Sequence, residues 1–402
     1  MSILRHLSVR HGYPEFLDLP WGYPLSEWEN RCSRLEEAPK GLSRHPVRFV
    51  NYEGVLYAIK ELPAGLAEKE YNLLAAMQNL HLPVVDPVGH AEAETHLGPV
   101  SVLITRYLEY SVPYRTLFMR ASLNRYREHL LDAMAGLLVQ LHLADIFWGD
   151  CSLSNTLFRR DAGALQAYLV DAETAEIHPD DFSPTLRYHD LEIMEENVNG
   201  DLAFLEGANM LAEGVPLSHT GAYIRLRYQS LWEEITREDI ISPEENYRIQ
   251  ERIRALNRLG FSVGEVDLTP TDGGNQLRFQ VVVTDRNFHR DQLHSLTGVE
   301  AEERQAQLMM NEIQEIKATL SQQNNRSTPL SVAAYHWLEE IYQPTLELLR
   351  PIIDRQEDAV EPYCQVLENK WFLSERAQQD VGHQAAAEDY LRKFSAQEEI
   401  TN

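Results

Sequence analysis

Several features are scarce in this sequence, and each scarcity excludes a class of protein. Cysteine occurs only three times in 402 residues, at positions 32, 151 and 364, which provides neither a disulfide framework nor the close spacing of a metal knuckle. No stretch approaches eighteen apolar residues, and residues 1–19 contain no sustained apolar segment. We therefore expect neither secretion nor a membrane span, and a reducing cytoplasm is the expected compartment.

Basic residues are also few relative to acidic ones. The chain has 36 lysines and arginines against 62 aspartates and glutamates, a net charge of −26. A surface of that sign repels nucleic-acid phosphates and anionic lipid, which argues against general nucleic-acid binding. The length predicts two or three domains, and an apolar content of 44% is enough to build sizeable cores.

What the sequence does contain is a set of polar residues between Leu141 and Thr174. Asp150 stands five positions before Asn155, and Asp171 ends the apolar run at 167–170. Phosphoryl transfer from ATP requires a carboxylate to orient the attacking hydroxyl and hard oxygen ligands for Mg²⁺. The order of these residues favours Asp150 as the catalytic carboxylate, with Asn155 and Asp171 as metal ligands.

This pattern, D-x-x-x-x-N followed by a strand and an aspartate, resembles the catalytic and metal-binding loops of the protein-kinase-like superfamily. Upstream, two apolar-aromatic runs around the turn at 51–54 predict a β-hairpin. Its second strand ends in Leu-Tyr-Ala-Ile-Lys60 and resembles the V-A-I-K strand of kinases. The resemblance implies that Lys60 contacts ATP phosphates and takes part in catalysis.

The same resemblance assigns two further positions. A helix predicted over residues 66–80 would supply the glutamate that holds Lys60; helix phase favours Glu70, with Glu68 as the alternative. After the β-rich run at 100–108, Glu109 and Ser111 occupy the position of a kinase hinge, where backbone groups would bind adenine. ATP and Mg²⁺ are therefore the implied cofactors.

The sequence also departs from protein kinases in ways that narrow the class. No G-x-G-x-x-G precedes the hairpin, so phosphate cover is expected from Lys40, Ser43 or the backbone after Gly41. Trp148-Gly149 replaces the usual His-Arg, and there is neither an Ala-Pro-Glu motif nor room for an activation segment. The run at 141–150, LHLADIFWGD, resembles instead the bacterial lipopolysaccharide core sugar kinases.

Outside this region, residues 16–28 and 361–382 resemble an uncharacterised bacterial family that joins such a lobe to a domain of unknown function. The predicted fold class is α+β: a two-lobed protein-kinase-like fold, with a small antiparallel sheet lobe and a helical lobe, followed by an α/β and helical C-terminal region. His189 and Asp190 are interpreted as a structural pair in preference to substrate ligands. The predicted domains are an N-terminal strap at 1–40, a small lobe at 41–110, a large lobe at 111–240, a helix-strand-strand-helix unit at 243–320 and a helical region at 329–396.

Three functions remain open on these residues. The favoured one is an atypical kinase that transfers the ATP γ-phosphate, with Mg²⁺, to an unidentified small hydroxylated, sugar-like acceptor. The second is a nucleotide-binding, pseudokinase-type regulatory module whose C-terminal domain engages a protein partner. The third is a nucleotidyl transferase on the same fold, because a metal site alone does not decide which phosphate is attacked.

Overall fold

The computed structural model describes residues 4–38, 44–119, 124–162, 164–179, 182–212, 217–242, 245, 247–271, 276–323, 326–353 and 359–401. Lys40, Gly41 and Ser43, to which we assigned phosphate cover, lie outside the described residues. The chain divides into two compact units. The first comprises Met1–Arg159 and Leu165–Thr236, and the second comprises Arg160–Ala164 and Arg237–Asn402.

A six-stranded antiparallel sheet with one helix beside it forms the first part of unit 1. Its order is β1-β5-β6-β4-β3-β2. The strands are β1 (Leu4–Val9), β2 (Leu35–Glu36), β3 (Val47–Tyr52), β4 (Val55–Pro63), β5 (Pro87–Thr95) and β6 (Gly98–Arg106), and helix α1 (Leu66–Asn79) follows β4. The β3–β4 hairpin turns at Glu53 and Gly54, both with positive φ. That geometry suits a two-residue loop and matches the right-handed twist of the strands.

The N-terminal segment is part of this sheet's core. Its strands β1 and β2 pair with β5 and β3 at the two edges, pairings that the sequence did not predict. Between them, Phe16, Trp21 and Trp28 are buried against the sheet, and the segment includes a short 3-10 helix, Leu25–Asn30. The indole N–H groups of Trp21 and Trp28 donate to nearby backbone carbonyls at 2.9 Å. Their polar atoms are thus satisfied while their rings fill the core.

The rest of unit 1 is mainly helical. Its elements are β7 (Val112–Pro113), α2 (Tyr114–Met119), α3 (Asn124–Leu143), β8 (Ile146–Phe147), β9 (Thr156–Asp161), β10 (Ala164–Leu169), β11 (Glu176–Ile177), α4 (Pro184–Gly207) and α5 (Leu217–Thr236). The end of β9 and the first residue of β10 fall within residues 160–164, which belong to unit 2. Leu130, Met134, Leu137 and Leu141 are buried along α3, at the helical spacing that the sequence shows. Two small sheets, β10-β9-β7 and β11-β8, carry the loops that contain Asp150 and Asp171.

Unit 2 begins with a three-stranded antiparallel sheet and continues as helices. The sheet has the order β12-β14-β13. The elements are β12 (Glu238–Ile241), α6 (Tyr247–Arg258), β13 (Ser262–Thr271), β14 (Gln276–Asp285), α7 (Phe288–Thr297), α8 (Glu303–Gln323), α9 (Leu330–Trp337), a π-helical turn (Leu338–Tyr342), α10 (Gln343–Leu349), a 3-10 turn (Arg350–Ile352), α11 (Val360–Ala377) and α12 (Gly382–Thr401). Helix α6, strands β13 and β14 and helix α7 follow one another along the chain, and β12 forms where the sequence predicted the end of the preceding helix. The bounds of the predicted unit at 243–320 stay a prediction.

A half-buried carboxylate on α8 links that helix to three others of unit 2 around its main apolar cluster. Glu312 accepts hydrogen bonds from the Tyr363 hydroxyl at 2.7 Å and the Trp337 indole at 3.1 Å, and pairs with His383 Nε2 at 2.6 Å. Burial alone would raise the pKa of Glu312, but these partners favour its charged form and the net shift is downward. The carboxylate is therefore compensated inside the core.

Candidate active site

A lysine and two carboxylates form a compact charged cluster in unit 1. The ammonium of Lys60, on β4, lies 3.0 Å from both carboxylate oxygens of Glu70 and 2.8 Å from Asp171 Oδ2. Buried residues on α1 fall at 67, 70, 74 and 77, which is one helical face, whereas Glu68 is exposed. Helix phase therefore places Glu70, and not Glu68, against Lys60.

Burial and mutual charge decide the protonation of this cluster. Burial opposes the charged form of Lys60, but the carboxylates of Glu70 and Asp171 outweigh it and raise the lysine pKa. Burial raises the pKa of Glu70 to about 7 despite the neighbouring ammonium. Lys60 therefore stays protonated and is shared by the carboxyl groups of Glu70 and Asp171.

The residue before Asp150 is a glycine with a left-handed backbone conformation. Gly149 has φ of +75°, and a Cβ at this position would lie 2.9 Å from Phe147 Cε1 and 3.1 Å from the Thr174 carbonyl oxygen. Both the backbone angle and the close backbone contact exclude a larger residue. Next to it, the buried Trp148 indole donates to the Asp171 carbonyl at 3.1 Å. The Trp-Gly pair therefore joins the Asp150 loop to the Asp171 loop.

Asp190, on α4, holds the backbone of the Asp150 loop in place. Its carboxylate accepts from Trp148 N at 2.8 Å and from Gly149 N at 3.0 Å, and lies 3.1 Å from His142 Nε2. Both Asp190 and His142 are buried, and burial lowers the pKa of His142. Asp190 and its neighbour His189 were predicted to form a structural pair; in the structure Asp190 pairs with His142, because α4 turns His189 towards its exposed face.

The carboxylate of Asp150 is held by three donors. Asn155 Nδ2 donates to Oδ2 at 3.1 Å, Asn197 Nδ2 donates to Oδ1 at 2.9 Å, and Arg44 Nη2 donates to Oδ2 at 3.0 Å. The side chain remains 21% exposed, so it is oriented and still accessible. Asp150 and Asn155, separated by five positions in the sequence, are thereby brought into direct contact.

Helix α4 supplies site residues that sequence reasoning missed. Asn197 contacts Asp150, and Asp201 accepts from Ser154 N at 3.0 Å and from Ser154 Oγ at 2.9 Å. Asp190, Asn197 and Asp201 are seven and four positions apart, a spacing that puts all three on one face of a helix. That spacing is the signal that could have identified them.

Two cavities meet at these residues. One, of about 420 Å³, is lined largely by apolar side chains with Lys60 and Asp171 at one end. The other, of about 470 Å³, has a polar wall that includes Asp150 and the α4 residues. Both cavities are lined by Arg44, His45, Ser154, Asn155 and Asp171. An apolar cleft that opens beside convergent polar groups is the usual form of a ligand site.

The predicted hinge residues do not line the apolar cavity. Glu109 and Ser111 were predicted to contact the nucleotide, which stays a prediction; in the described structure residues 105–108 are part of the cavity wall, and Glu109 and Ser111 are not. The chain turns away after Leu108, since Tyr110 has φ of +57° and Ser111 N donates to the Leu108 carbonyl at 3.3 Å. The turn directs the later residues away from the cavity.

The residues near Asp171 suit a magnesium ion that is shared with phosphates. Among the residues that the structure describes, no group of three His, Cys, Asp or Glu side chains could hold a metal by itself. Mg²⁺ commonly takes only one or two protein oxygens, with phosphate oxygens and water completing its octahedron. Asp171 and Asn155 both line the two cavities, and their hard oxygen atoms fit that requirement.

The antiparallel sheet with its helix, the helical part below it and the Lys60–Glu70–Asp171 cluster define unit 1 as a protein-kinase-like fold. Consistent with this, residues 55–212 match the model of the lipopolysaccharide kinase (Kdo/WaaP) family. Residues 230–394 match a domain of unknown function, DUF4032. The predicted resemblance and the predicted α+β fold class, with its additional α/β and helical C-terminal region, are thus confirmed.

Comparisons with solved structures and with curated proteins do not extend the assignment. A solved structure, "WaaP in complex with acyl carrier protein", is 14% identical and covers 63% of this chain and 98% of its own, with a TM-score of 0.36. A likeness at that level does not by itself define a fold. No curated protein matches the chain. Within the described residues, no helix has the length and apolar character needed to cross a bilayer.

Proposed function

We propose that this protein is an ATP- and magnesium-dependent kinase that phosphorylates a small hydroxylated acceptor. The observation that carries the proposal is that Asp171 lines both cavities and Asp150 lines the polar one, with Lys60, braced by Glu70, in contact with Asp171. The family match indicates a kinase-like phosphotransferase in general. The nucleotide, the metal and the acceptor class are the finer parts of the proposal.

The apolar cavity is the nucleotide side of the site. Its walls include Val47, Ala58 and Val170, which would enclose the adenine ring, while residues 105–108 offer backbone groups to its edge. Lys60 would bind the phosphates, and Asp171 with Asn155 would hold Mg²⁺. When bound, the ion neutralises charge on the transferring phosphoryl group. Asp150, held by two asparagines, would orient the acceptor hydroxyl and accept its proton.

The polar cavity is the acceptor side, and its size and charge restrict the acceptor. About 470 Å³ suits a compound of sugar size. Glu173, Glu196 and Asp201 add carboxylates to its wall, which would disfavour a strongly anionic acceptor. Only twelve residues lie between Asp171 and Pro184, where α4 begins, too few for the peptide platform of a protein kinase. A neutral or amine-bearing sugar-like compound therefore fits best.

The test is to compare Asp150→Ala with the wild type in nucleotide binding and in product formation. Asp150→Ala should bind Mg-ATP almost as the wild type does and transfer phosphate about a hundredfold more slowly or worse, because general-base catalysis is worth roughly that much. Asp132→Ala, which removes an exposed carboxylate on α3 that pairs with Arg227, is the matched control and should transfer at the wild-type rate.

The products decide between this function and the two others. ADP release that depends on a sugar or amino sugar supports the kinase. Pyrophosphate release would replace it with nucleotidyl transfer, and tight binding of Mg-ATP with no turnover on any acceptor would replace it with a regulatory module. Equal phosphate transfer by Asp150→Ala and the wild type would refute the role of Asp150.

A further inference from the structure

Arg44 contacts the catalytic centre from the loop that precedes β3. Its guanidinium Nη2 lies 3.0 Å from Asp150 Oδ2, and its side chain as a whole is 82% exposed. Arg44 also lines both the apolar and the polar cavity. Across the described part of the chain, no other arginine lines both. Its cation therefore stands where the terminal phosphate of a nucleotide would pass from one cavity to the other.

The charge around this junction is strongly negative. Asp150, Asp171 and Glu173 line the polar cavity there, while Lys60 is already within 3.0 Å of both Glu70 and Asp171. A triphosphate that enters the site must therefore find cationic groups besides Lys60. A guanidinium, with paired donors in one plane, is the side chain best suited to phosphate oxygens.

The sequence before β3 lacks the glycine-rich loop with which kinases bind the phosphates of ATP. The stretch at 38–44, APKGLSR, has a single glycine, so it cannot form a G-x-G-x-x-G loop whose backbone amides cover the phosphates. Arg44 ends that stretch. Its side chain provides the hydrogen-bond donors that a glycine-rich loop would supply from its backbone.

We propose that Arg44 is the γ-phosphate-binding residue of this site, and that without nucleotide it forms an ion pair with the Asp150 carboxylate instead. This rests on the proposed kinase function. An exposed ion pair is weak, so a terminal phosphate with about two negative charges competes well for the guanidinium. Asp150 would keep Asn155 and Asn197 as donors and remain oriented. Nucleotide binding would therefore free the catalytic carboxylate for the acceptor hydroxyl.

The experiment is calorimetric titration of the full-length chain, in Mg²⁺, with ADP and with a non-hydrolysable ATP analogue. Arg44→Ala should weaken the ATP analogue about tenfold or more, the usual size of a charge-assisted contact, and change ADP affinity less than about twofold. The affinity of Arg44→Lys for the ATP analogue should lie between those of the wild type and Arg44→Ala, because an ammonium is a point charge without the planar geometry of a guanidinium. Since Arg44 is exposed, all variants should fold as the wild type does, which circular dichroism checks.

Arg48→Ala is the matched control. Arg48 lines the apolar cavity but not the polar one, so its loss should change the affinities of ADP and the ATP analogue by the same factor. An Arg44→Ala effect that is equal for the two nucleotides, or absent for both, would overturn the assignment of Arg44 while leaving the kinase proposal in place. Failure of the wild type to bind either nucleotide would instead overturn the proposed function itself.

Discussion

At the scale of single residues, the site is organised around two aspartates with different surroundings. Asp150 is held by two neutral amides and one exposed guanidinium. Asp171 contacts the Lys60 ammonium at 2.8 Å and accepts from Glu173 N at 3.2 Å. The first environment leaves a carboxylate partly accessible to solvent, and the second places one beside the Lys60 ammonium. These surroundings fit the separate roles proposed for them.

Replacing Asp171 by asparagine should remove most of the stabilisation that Mg-ATP provides. A ligand that binds only the folded state at about a hundred times its Kd adds roughly 2.7 kcal/mol to the free energy of unfolding. Asparagine keeps the size of the side chain but loses the charge that attracts Mg²⁺. Thermal unfolding with and without Mg-ATP measures the shift within each protein, with Asp132→Asn as the control. A full shift in Asp171→Asn would rule out Asp171 as the metal ligand.

At the scale of elements, helix ends and helix faces decide which polar groups meet. The face of α4 that carries Asp190, Asn197 and Asp201 holds the Asp150 loop at three points. In unit 2, Asp161 accepts from Arg304 N at 3.1 Å and from Gln305 N at 2.8 Å, in the first turn of α8. A carboxylate there satisfies amide groups that have no partner within the helix.

The Asp161 contact predicts a pH dependence of stability. Burial, with the Glu302 carboxylate next in effect, raises the pKa of Asp161 to about 7, whereas an unfolded aspartate has a pKa of about 3.9. The folded protein therefore binds this proton more tightly than the unfolded chain. The contribution of Asp161 to stability is greatest below about pH 4 and falls as pH rises to about 7, by at most roughly 1.4 kcal/mol per pH unit.

Urea unfolding of the wild type and of Asp161→Asn between pH 5 and pH 8 checks this. The substitution removes an acceptor, which costs stability by an amount that does not vary with pH, and removes the titration. The free energy of unfolding of the wild type relative to the variant should therefore decrease as pH rises to about 7 and then level off. A constant difference over the whole range would contradict the raised pKa.

At the scale of the whole molecule, the dominant property is the charge of −26. Folding brings these charges closer together than they are in the unfolded chain, so their mutual repulsion opposes the compact state. Salt screens that repulsion, since the Debye length falls from about 30 Å at 0.01 M to about 10 Å at 0.1 M. The acidic balance thus affects stability, beyond its role in disfavouring nucleic acid as a partner.

The unfolding temperature should therefore rise by a few degrees when sodium chloride increases from about 10 mM to about 150 mM. Differential scanning calorimetry measures the change, and an equal concentration of potassium chloride should produce the same rise because screening depends on ionic strength. A fall in the unfolding temperature would show that attractive ion pairs, such as Arg227–Asp132, outweigh the general repulsion.

The sequence by itself determined the features that depend on local order and period. The hairpin, the phase of α1 and the succession of Lys60, Glu70, Asp150, Asn155 and Asp171 could all be read from it, and they were enough to predict the kinase-like fold. Strand alternation and helix period are properties of neighbouring residues, so they need no knowledge of distant contacts. The roles of these residues stay predictions until they are tested.

Only the tertiary structure decided which distant side chains meet the Asp150 loop. Asn197 and Asp190 reach it because α4 packs beneath it, and Arg44 reaches it across more than a hundred positions of sequence. Residues 105–108, and not Glu109 or Ser111, line the apolar cavity for a similar reason, since a turn after Leu108 redirects the chain. Periodicity reports which face of an element is buried, but the packing of elements determines what that face contacts.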